Sequence, residues 1–316
     1  MNLMLRKFKT DNGRLHEIYD YEDGAWIVLT EPERDELEEV ARKYEIDIAD
    51  VRAAMDDEES SRIDINDDYA MLLFDIPSVE VRHKQEVYTT IPIGMILTGN
   101  VIITICSEDS PILQQFMNNF VKGFDTRNQI RFCYQILLRT GIFYQAYLRV
   151  IDKKRLEIEE RISKGVADVD IMNLHELEST LVYFDTSLRA NKIVLERFSR
   201  YGRNKHTEDD EELLDDVLIE SQQAIEMTQI YRDITRGTRE LLSSVMDKKL
   251  NNVMKYLASI TLVMAIPTII SGLYGMNVDT EWMPLAHTPY GFGIICGITF
   301  SICFVMIIIL KKIKML

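Results

Sequence analysis

The sequence predicts an α+β cytosolic domain followed by a long helical stalk and a two-helix transmembrane hairpin. Three observations carry that expectation. Tyr256–Tyr274 and Tyr290–Leu310 are uncharged apolar runs of 19 and 21 residues. Each is long enough to cross about 30 Å of hydrocarbon as a helix rising about 1.5 Å per residue. Between Thr126 and Pro267 there is no proline, and up to Lys255 glycine stands only at 141, 165, 202 and 237, so little interrupts long helices there. Ahead of that stretch, short runs rich in β-branched and aromatic residues alternate with charged segments, as strands interleaved with helices do.

In order, the predicted strands are Trp26–Leu29, Tyr69–Phe74, Val87–Ile93 and Val101–Ile105. Glu33–Tyr44 reads as a helix entered through Pro32, with Leu37, Val40 and Ala41 on its apolar face; Asp50–Met55 and Pro111–Val121 are shorter helical pieces. These elements make up an expected domain over residues 1–125. An antiparallel helical pair over 126–207 follows, Gln129–Ser163 and Val169–Tyr201, broken near Gly165. The last helix runs from Leu213 to Tyr274, 62 residues with Gly237 as the weak point before Pro267, about 93 Å if continuous. Leu214, Leu218, Ile225, Ile234, Leu241, Val245 and Val253 give it a bundle-forming face. It divides into a stalk over 208–255 and a first span over 256–274, and an unbroken helix would carry motion rigidly between the two. A loop over 275–289, a second span over 290–310 and a basic tail over 311–316 complete the chain. One hairpin cannot enclose a pore alone, so it either anchors the protein or brings several copies together.

The chain has 316 residues and a net charge of −15. Beyond Tyr256 the charged residues are Asp279, Glu281, Lys311, Lys312 and Lys314, which leaves −16 on residues 1–255. Such a body repels nucleic acid phosphates and suits a cationic partner such as a divalent metal or a basic surface; a charge that merely keeps the protein soluble is the plainer alternative. Cys106, Cys133, Cys296 and Cys303 show no paired spacing, which fits a reducing compartment. The N-terminal MNLMLRKFKT has no long apolar stretch, so no cleavable signal peptide is expected. Lys248, Lys249 and Lys255 precede the first span and Lys311, Lys312 and Lys314 follow the second, whereas the connecting loop has no Lys or Arg. The positive-inside rule then puts both termini in the cytoplasm of a multi-pass plasma (inner) membrane protein. His16, His83, His175, His206 and His287 lack ligand spacing. No GxxxxGK[ST] sequence and no nucleophile–base constellation is visible, so no enzyme is expected.

Asn251, Met254, Thr261, Ala265 and Thr268 recur at steps of three, four and seven along the last helix, with Leu257 and Ala258 beside them. Small residues on one face favour close packing of membrane helices; alternatively the face lines a water-filled path, where hydroxyls and amides meet a hydrated ion. Gly275-Met276-Asn277 ends that helix. By itself it reads as a C-terminal cap. It also places a neutral amide oxygen and turnable carbonyls at the outer end, a combination suited to Mg²⁺, which gives up its waters reluctantly. Neutral oxygens hold those waters without binding the ion too tightly to leave. Gly293 and Gly297 favour helix contact. Two acidic clusters stand out: Glu208–Glu220 with eight acids and no base, including Asp215 and Asp216, and Asp56–Asp68 with seven acids and one Arg, opening on Asp56-Asp57. They are solvated surface, or repelling charges that a divalent ion would reconcile.

The stretch Lys255–Asn277, ending Tyr274-Gly275-Met276-Asn277 and followed by a second span and a lysine-rich tail, resembles the CorA family of magnesium and divalent-cation channels, the 2-TM-GxN metal ion transporters. The resemblance extends over essentially the whole chain. It implies a homopentameric funnel whose first span lines the pore, with Gly275, Met276 and Asn277 as selectivity filter. By the same resemblance Thr268 falls on an inner polar ring, Met254 and Leu257 on a hydrophobic gate, and Asn251 at the cytoplasmic mouth, with Thr261 and Ala265 lining the path between. A bulky residue often stands in the family where this chain has Ala265, so the upper constriction is wider here or displaced to Met264. The resemblance further implies cytosolic intersubunit sites at which Mg²⁺ holds the pore shut. Asp216 matches one acid of that site, with Asp215 beside it, but the partner acid falls on Ala53, so the pair must use other residues such as Asp56 or Asp57, or be weakened. The implied function is passive influx of hydrated Mg²⁺, with Co²⁺ and Ni²⁺ as further ions; Mg²⁺ is then both cargo and regulatory ligand, and the bilayer and other copies of the chain are the partners. A Zn²⁺ or Mn²⁺ transporter or exporter on the same scaffold is the alternative. A membrane-anchored scaffold that conducts nothing is the rival from another class.

Overall fold

The structure is a computed structural model and describes residues 5–82, 85–164, 168–202, 207–279, 281, 283–313 and 315. Contacts divide the chain into two compact units, Met1–Arg239 and Glu240–Leu316. In the first, seven strands form one sheet: β1 (Leu5–Asp11), β2 (Arg14–Ile18), β3 (Ala25–Thr30), β4 (Arg62–Ile65), β5 (Tyr69–Arg82), β6 (Gln85–Thr98) and β7 (Ile102–Cys106), in the order β2-β1-β3-β7-β6-β5-β4. Neighbours are antiparallel except β3 and β7, which run parallel. Around the sheet lie α1 (Arg34–Lys43), α2 (Ile48–Ala53), α3 (Pro111–Met117), α4 (Gln129–Lys164), α5 (Asp168–Gly202) and the first part of α6 (Glu208–Tyr274).

The central strands are apolar throughout because both faces of the sheet are covered. Trp26 and Val28 of β3 point into one core with Phe74, Ile93, Phe116 and Phe132; Ala25, Ile27 and Leu29 point into the other with Leu37, Val40 and Val51. Trp26 is fully buried, its ring 5.0 Å from that of Phe132 and its indole N–H donating to Thr104 Oγ1 at 2.9 Å. On the opposite face α2 approaches β6 so closely that a Cβ at Gly94 would lie 2.8 Å from Ala54 Cβ.

All four predicted strands form; β5 continues beyond Phe74 through Pro77 and β6 extends past Ile93 to Thr98, each reaching 14 residues, with Pro92 inside the predicted part of β6. Proline is tolerated because β4 pairs β5 only up to Leu73 and β7 pairs β6 only from Ile93, so the two prolines lie where one edge is free. At Asp75 the open edge of β5 is closed by a side chain: Asn191 of α5 accepts from Asp75 N–H at 2.9 Å and donates to Asp75 C=O at 2.7 Å. β1, β2 and β4 were not among the predicted strands; all three carry charges, β2 and β4 are the two edge strands, and β1 is the next strand in from β2.

Helix α1 opens on a capping box between Glu33 and Glu36, with Leu37, Val40 and Ala41 buried as expected. α3 stops at Met117, four residues short of the expected Val121, because Asn119 takes a left-handed conformation (φ 57°). The helix pair forms as Gln129–Lys164 and Asp168–Gly202, and the expected break at Gly165 lies outside the described residues. α6 starts five residues ahead of the expected Leu213, capped by Thr207, whose N–H and hydroxyl donate to Asp210 Oδ2 at 3.1 and 2.8 Å. In the second unit, the remainder of α6 and α7 (Gly291–Lys312) are long and apolar enough to cross a membrane, and little of either apolar stretch is covered by the chain itself.

Candidate ion-conduction site

Within the second unit the rotation of α6 is set by what α7 covers. Ser259, Val263, Ile266, Ile270 and Tyr274 are buried or half-buried, at steps of three and four. Contacts from α7 and from the residues after it fall on this set: Cys303 Sγ lies 3.8 Å from Val263 O, and Ser259 Oγ donates to Met315 O at 3.1 Å. Val263 O is the carbonyl that Pro267, lacking an N–H, cannot serve as a helical donor. The thiol of Cys303 stands where that donor is missing.

At 3.6 residues per turn, the predicted stripe lies roughly 170° around α6 from the covered face. Asn251, Met254, Leu257, Thr261 and Thr268 are exposed, Met254 at 61% and Leu257 at 66%, and Ala265 is half-buried. The hydroxyls of Thr261 and Thr268 donate to the carbonyls of Leu257 and Met264, at 2.9 and 3.0 Å. With the hydrogens so engaged, the oxygens offer lone pairs outward, which is what the water shell of a cation requires. Gly272 continues the stripe, exposed and with open space around it. Sequence reasoning did not include it, although the four-residue step from Thr268 leads there.

Gly275, Met276 and Asn277 follow the end of α6 and are exposed. Gly275 N–H continues the helical pattern to Ser271 O at 2.9 Å, and Gly275 is not among the described residues with positive φ. The tripeptide therefore does not form the left-handed cap that glycine usually provides. The loop beyond is braced by the Tyr274 hydroxyl donating to Pro284 O at 2.9 Å. At the start of α7, Gly291 is buried where a Cβ would run into the carbonyl of Leu285. Gly293 and Gly297 face open space rather than α6.

The acids sort by environment. Asp210 is buried and serves structure: burial opposes its ionisation, but the Thr207 bonds and the Arg131 guanidinium at 3.3 Å prevail and hold its carboxyl below the usual range. Glu220 accepts from Gln145 Nε2 at 2.5 Å. Asp215 and Asp216 are exposed on α6, and Asp56 and Asp57 are exposed after α2, where Asp56 Oδ1 accepts from Glu58 N–H. Ala53 is buried in the core under α2 and offers no surface position. Among the described residues, no three His, Cys, Asp or Glu side chains of one chain converge on a metal position. His16, His175 and His287 are exposed; His83, His206 and Lys314 lie outside the described residues.

Known proteins supply a frame for this geometry. A cobalt/magnesium transport protein CorA from Methanocaldococcus jannaschii is 27% identical over 291 residues, spanning 91% of this chain and 90% of that protein. Its namesake from Thermotoga maritima is 26% identical over 173 residues, 55% of this chain and 49% of that one. The complete structure of the M. jannaschii CorA magnesium transporter superposes with a TM-score of 0.81 at 24% identity, covering 99% of this chain and 98% of the other. Residues 21–312 match the family described as CorA-like Mg²⁺ transporter protein, and with β3 to β7, the stalk and the apolar hairpin within that match the chain belongs to this family.

Proposed function

We propose that the protein is a homopentameric channel in the plasma membrane that passes hydrated Mg²⁺, and with it Co²⁺ and Ni²⁺, passively into the cytoplasm. The observation that carries this reading is the uncovered face of α6: α7 occupies the opposite side, and the free stripe of Asn251, Met254, Leu257, Thr261, Ala265 and Thr268 leads to Gly275-Met276-Asn277. Five such faces turned inward give a path lined by neutral oxygens and closed by thioether and isobutyl groups. Asn277 recognises the hydrated ion at the outer mouth, Thr268 and Thr261 accept from its waters, and Leu257 and Met254 form the gate. Lys248, Lys249 and Lys255 at one end and Lys311 and Lys312 at the other fix both termini in the cytoplasm. A divalent ion gains about 4.6 kcal/mol per 100 mV, twice the single-charge value, so influx needs no fuel. The names of the M. jannaschii and T. maritima relatives favour magnesium and cobalt over zinc or manganese.

Regulation follows from the exposed carboxylates. Asp215 and Asp216, with Asp56 and Asp57, carry the hard oxygen donors Mg²⁺ prefers, and the buried Ala53 leaves the site to be completed by acids from more than one subunit. Mg²⁺ bound there neutralises like charges and favours the closed state; when it leaves, repulsion shifts the population toward open. Reconstituted protein should have the mass of five chains and take up Mg²⁺ into vesicles. The Asp215→Asn/Asp216→Asn variant should keep conducting at millimolar internal Mg²⁺ where the unaltered protein closes. Equal inhibition of both would remove these acids from the regulatory site, and a strictly monomeric protein would remove the channel.

A further inference from the structure

Ser259 is fully buried on a stretch of α6 whose neighbours, Asn251–Ala258 and Ile260–Leu262, are all exposed. Its hydroxyl also behaves differently from the other serine and threonine hydroxyls of the two apolar stretches. Thr261, Thr268 and Ser271 on α6, and Thr299 and Ser301 on α7, donate to carbonyls of their own helix. Ser259 instead donates to the carbonyl of Met315 at 3.1 Å. That carbonyl is held in place by the turn closing α7, where Met315 N–H reaches Leu310 O and Ile313 N–H reaches Ile309 O, both at 3.0 Å. Leu310 is buried at 3% exposure while Ile307, Ile308 and Ile309 before it are exposed. One turn along α6, Cys303 meets Val263 O. Two successive turns of α6 are thus held, one by Cys303 in the middle of α7 and one by Met315 just after its end. Ser259 is two residues from Leu257 and roughly 160° around the helix from it.

We propose that Ser259 is a positioning residue: its bond to Met315 is a latch that ties the inner end of α7 to the turn of α6 bearing the gate. The inference rests on the reading of Met254 and Leu257 as that gate. Because the latch grips the back of the helix at the level where the front constricts, these side chains cannot move outward unless the end of α7 moves with them or the bond breaks. Breaking it leaves the buried Ser259 hydroxyl short of a partner, which is costly. The latch therefore resists opening.

The test uses the full-length protein with Ser259→Ala, which deletes the hydroxyl at almost constant volume, and Ser259→Thr, which retains it. Amide exchange at Ile313 and Met315 and Mg²⁺ uptake across a range of internal Mg²⁺ are read together. Ser259→Ala should exchange there at least threefold faster and need at least threefold more internal Mg²⁺ for half-inhibition, while its preference among divalent ions stays unchanged; Ser259→Thr should restore both. Unchanged exchange in Ser259→Ala would overturn the latch. Faster exchange with unaltered inhibition would overturn its link to the gate. Loss of assembly in both variants would leave Ser259 a purely structural role and overturn the proposal. Absence of uptake by the unaltered protein would instead overturn the channel reading on which the gate depends.

Discussion

At the scale of single residues, chemistry follows from what each polar group is given as a partner. Asp75 is a carboxylate set between β5 and α5 whose side-chain bond comes from Ser187 Oγ at 2.5 Å, while Tyr144 and Asn191 attend its backbone carbonyl. Burial pushes its carboxyl above the usual range, only partly offset by the Ser187 bond. A carboxyl with a raised folded pKa binds more protons folded than unfolded. Its stabilising contribution is therefore complete below the ordinary carboxylate pKa and is lost as pH rises through the raised value. Asp75→Asn should remove this dependence: relative to the unaltered protein its melting midpoint should rise between the ordinary carboxylate range and neutrality, and the difference should vanish in acid. A variant that tracks the unaltered protein at every pH would contradict the assignment. Residue roles of this kind were invisible in the sequence, because Asp75, Ser187 and Asn191 meet only across more than a hundred positions. The Thr261–Thr268 stripe was legible, since helical spacing alone puts those residues on one face.

Among elements, legibility depended on burial. β3, β5, β6 and β7 lie at or near the middle of a sheet covered on both faces, so they read as apolar runs. The edge strands β2 and β4 carry charges that blunt an exposed edge and also hide the strand, and β1, one strand in, is hidden by Arg6, Lys7 and Lys9. A local signal was nevertheless present: Asn12-Gly13, both at positive φ between β1 and β2, is the favoured two-residue hairpin turn. Helix termini shifted where Thr207 caps α6 through Asp210 and where Asn119 turns left-handed beyond α3, features that periodicity does not report. The element most dependent on one residue is β3. Trp26 packs edge-on against Phe116, Phe124 and Phe132 with centroids 5.0–6.4 Å apart. Trp26→Ala should cost about 3–5 kcal/mol, read as a drop of roughly 10 °C in the thermal midpoint. A shift of only a degree or two would mean that the aromatic cluster closes over the cavity.

For the whole molecule, membership of the CorA-like Mg²⁺ transporter family and the apolar hairpin were both legible, because the uncharged runs and Gly-Met-Asn are contiguous. The side of α6 that α7 leaves open was not, since nothing in the sequence says where α7 docks. The acids proposed to regulate are legible as charge but not as a site, because no three ligand side chains gather among the described residues of one chain. In the proposed pathway conduction rests on the neutral oxygens at the outer mouth, so the decisive measurement is uptake of Mg²⁺, Co²⁺, Zn²⁺ and Mn²⁺ into vesicles holding either the unaltered protein or Asn277→Ala. The unaltered protein should favour Mg²⁺ and Co²⁺, and Asn277→Ala should assemble to the same mass yet lose selective uptake by at least tenfold. Undiminished, equally selective Mg²⁺ uptake through Asn277→Ala would contradict the proposed pathway.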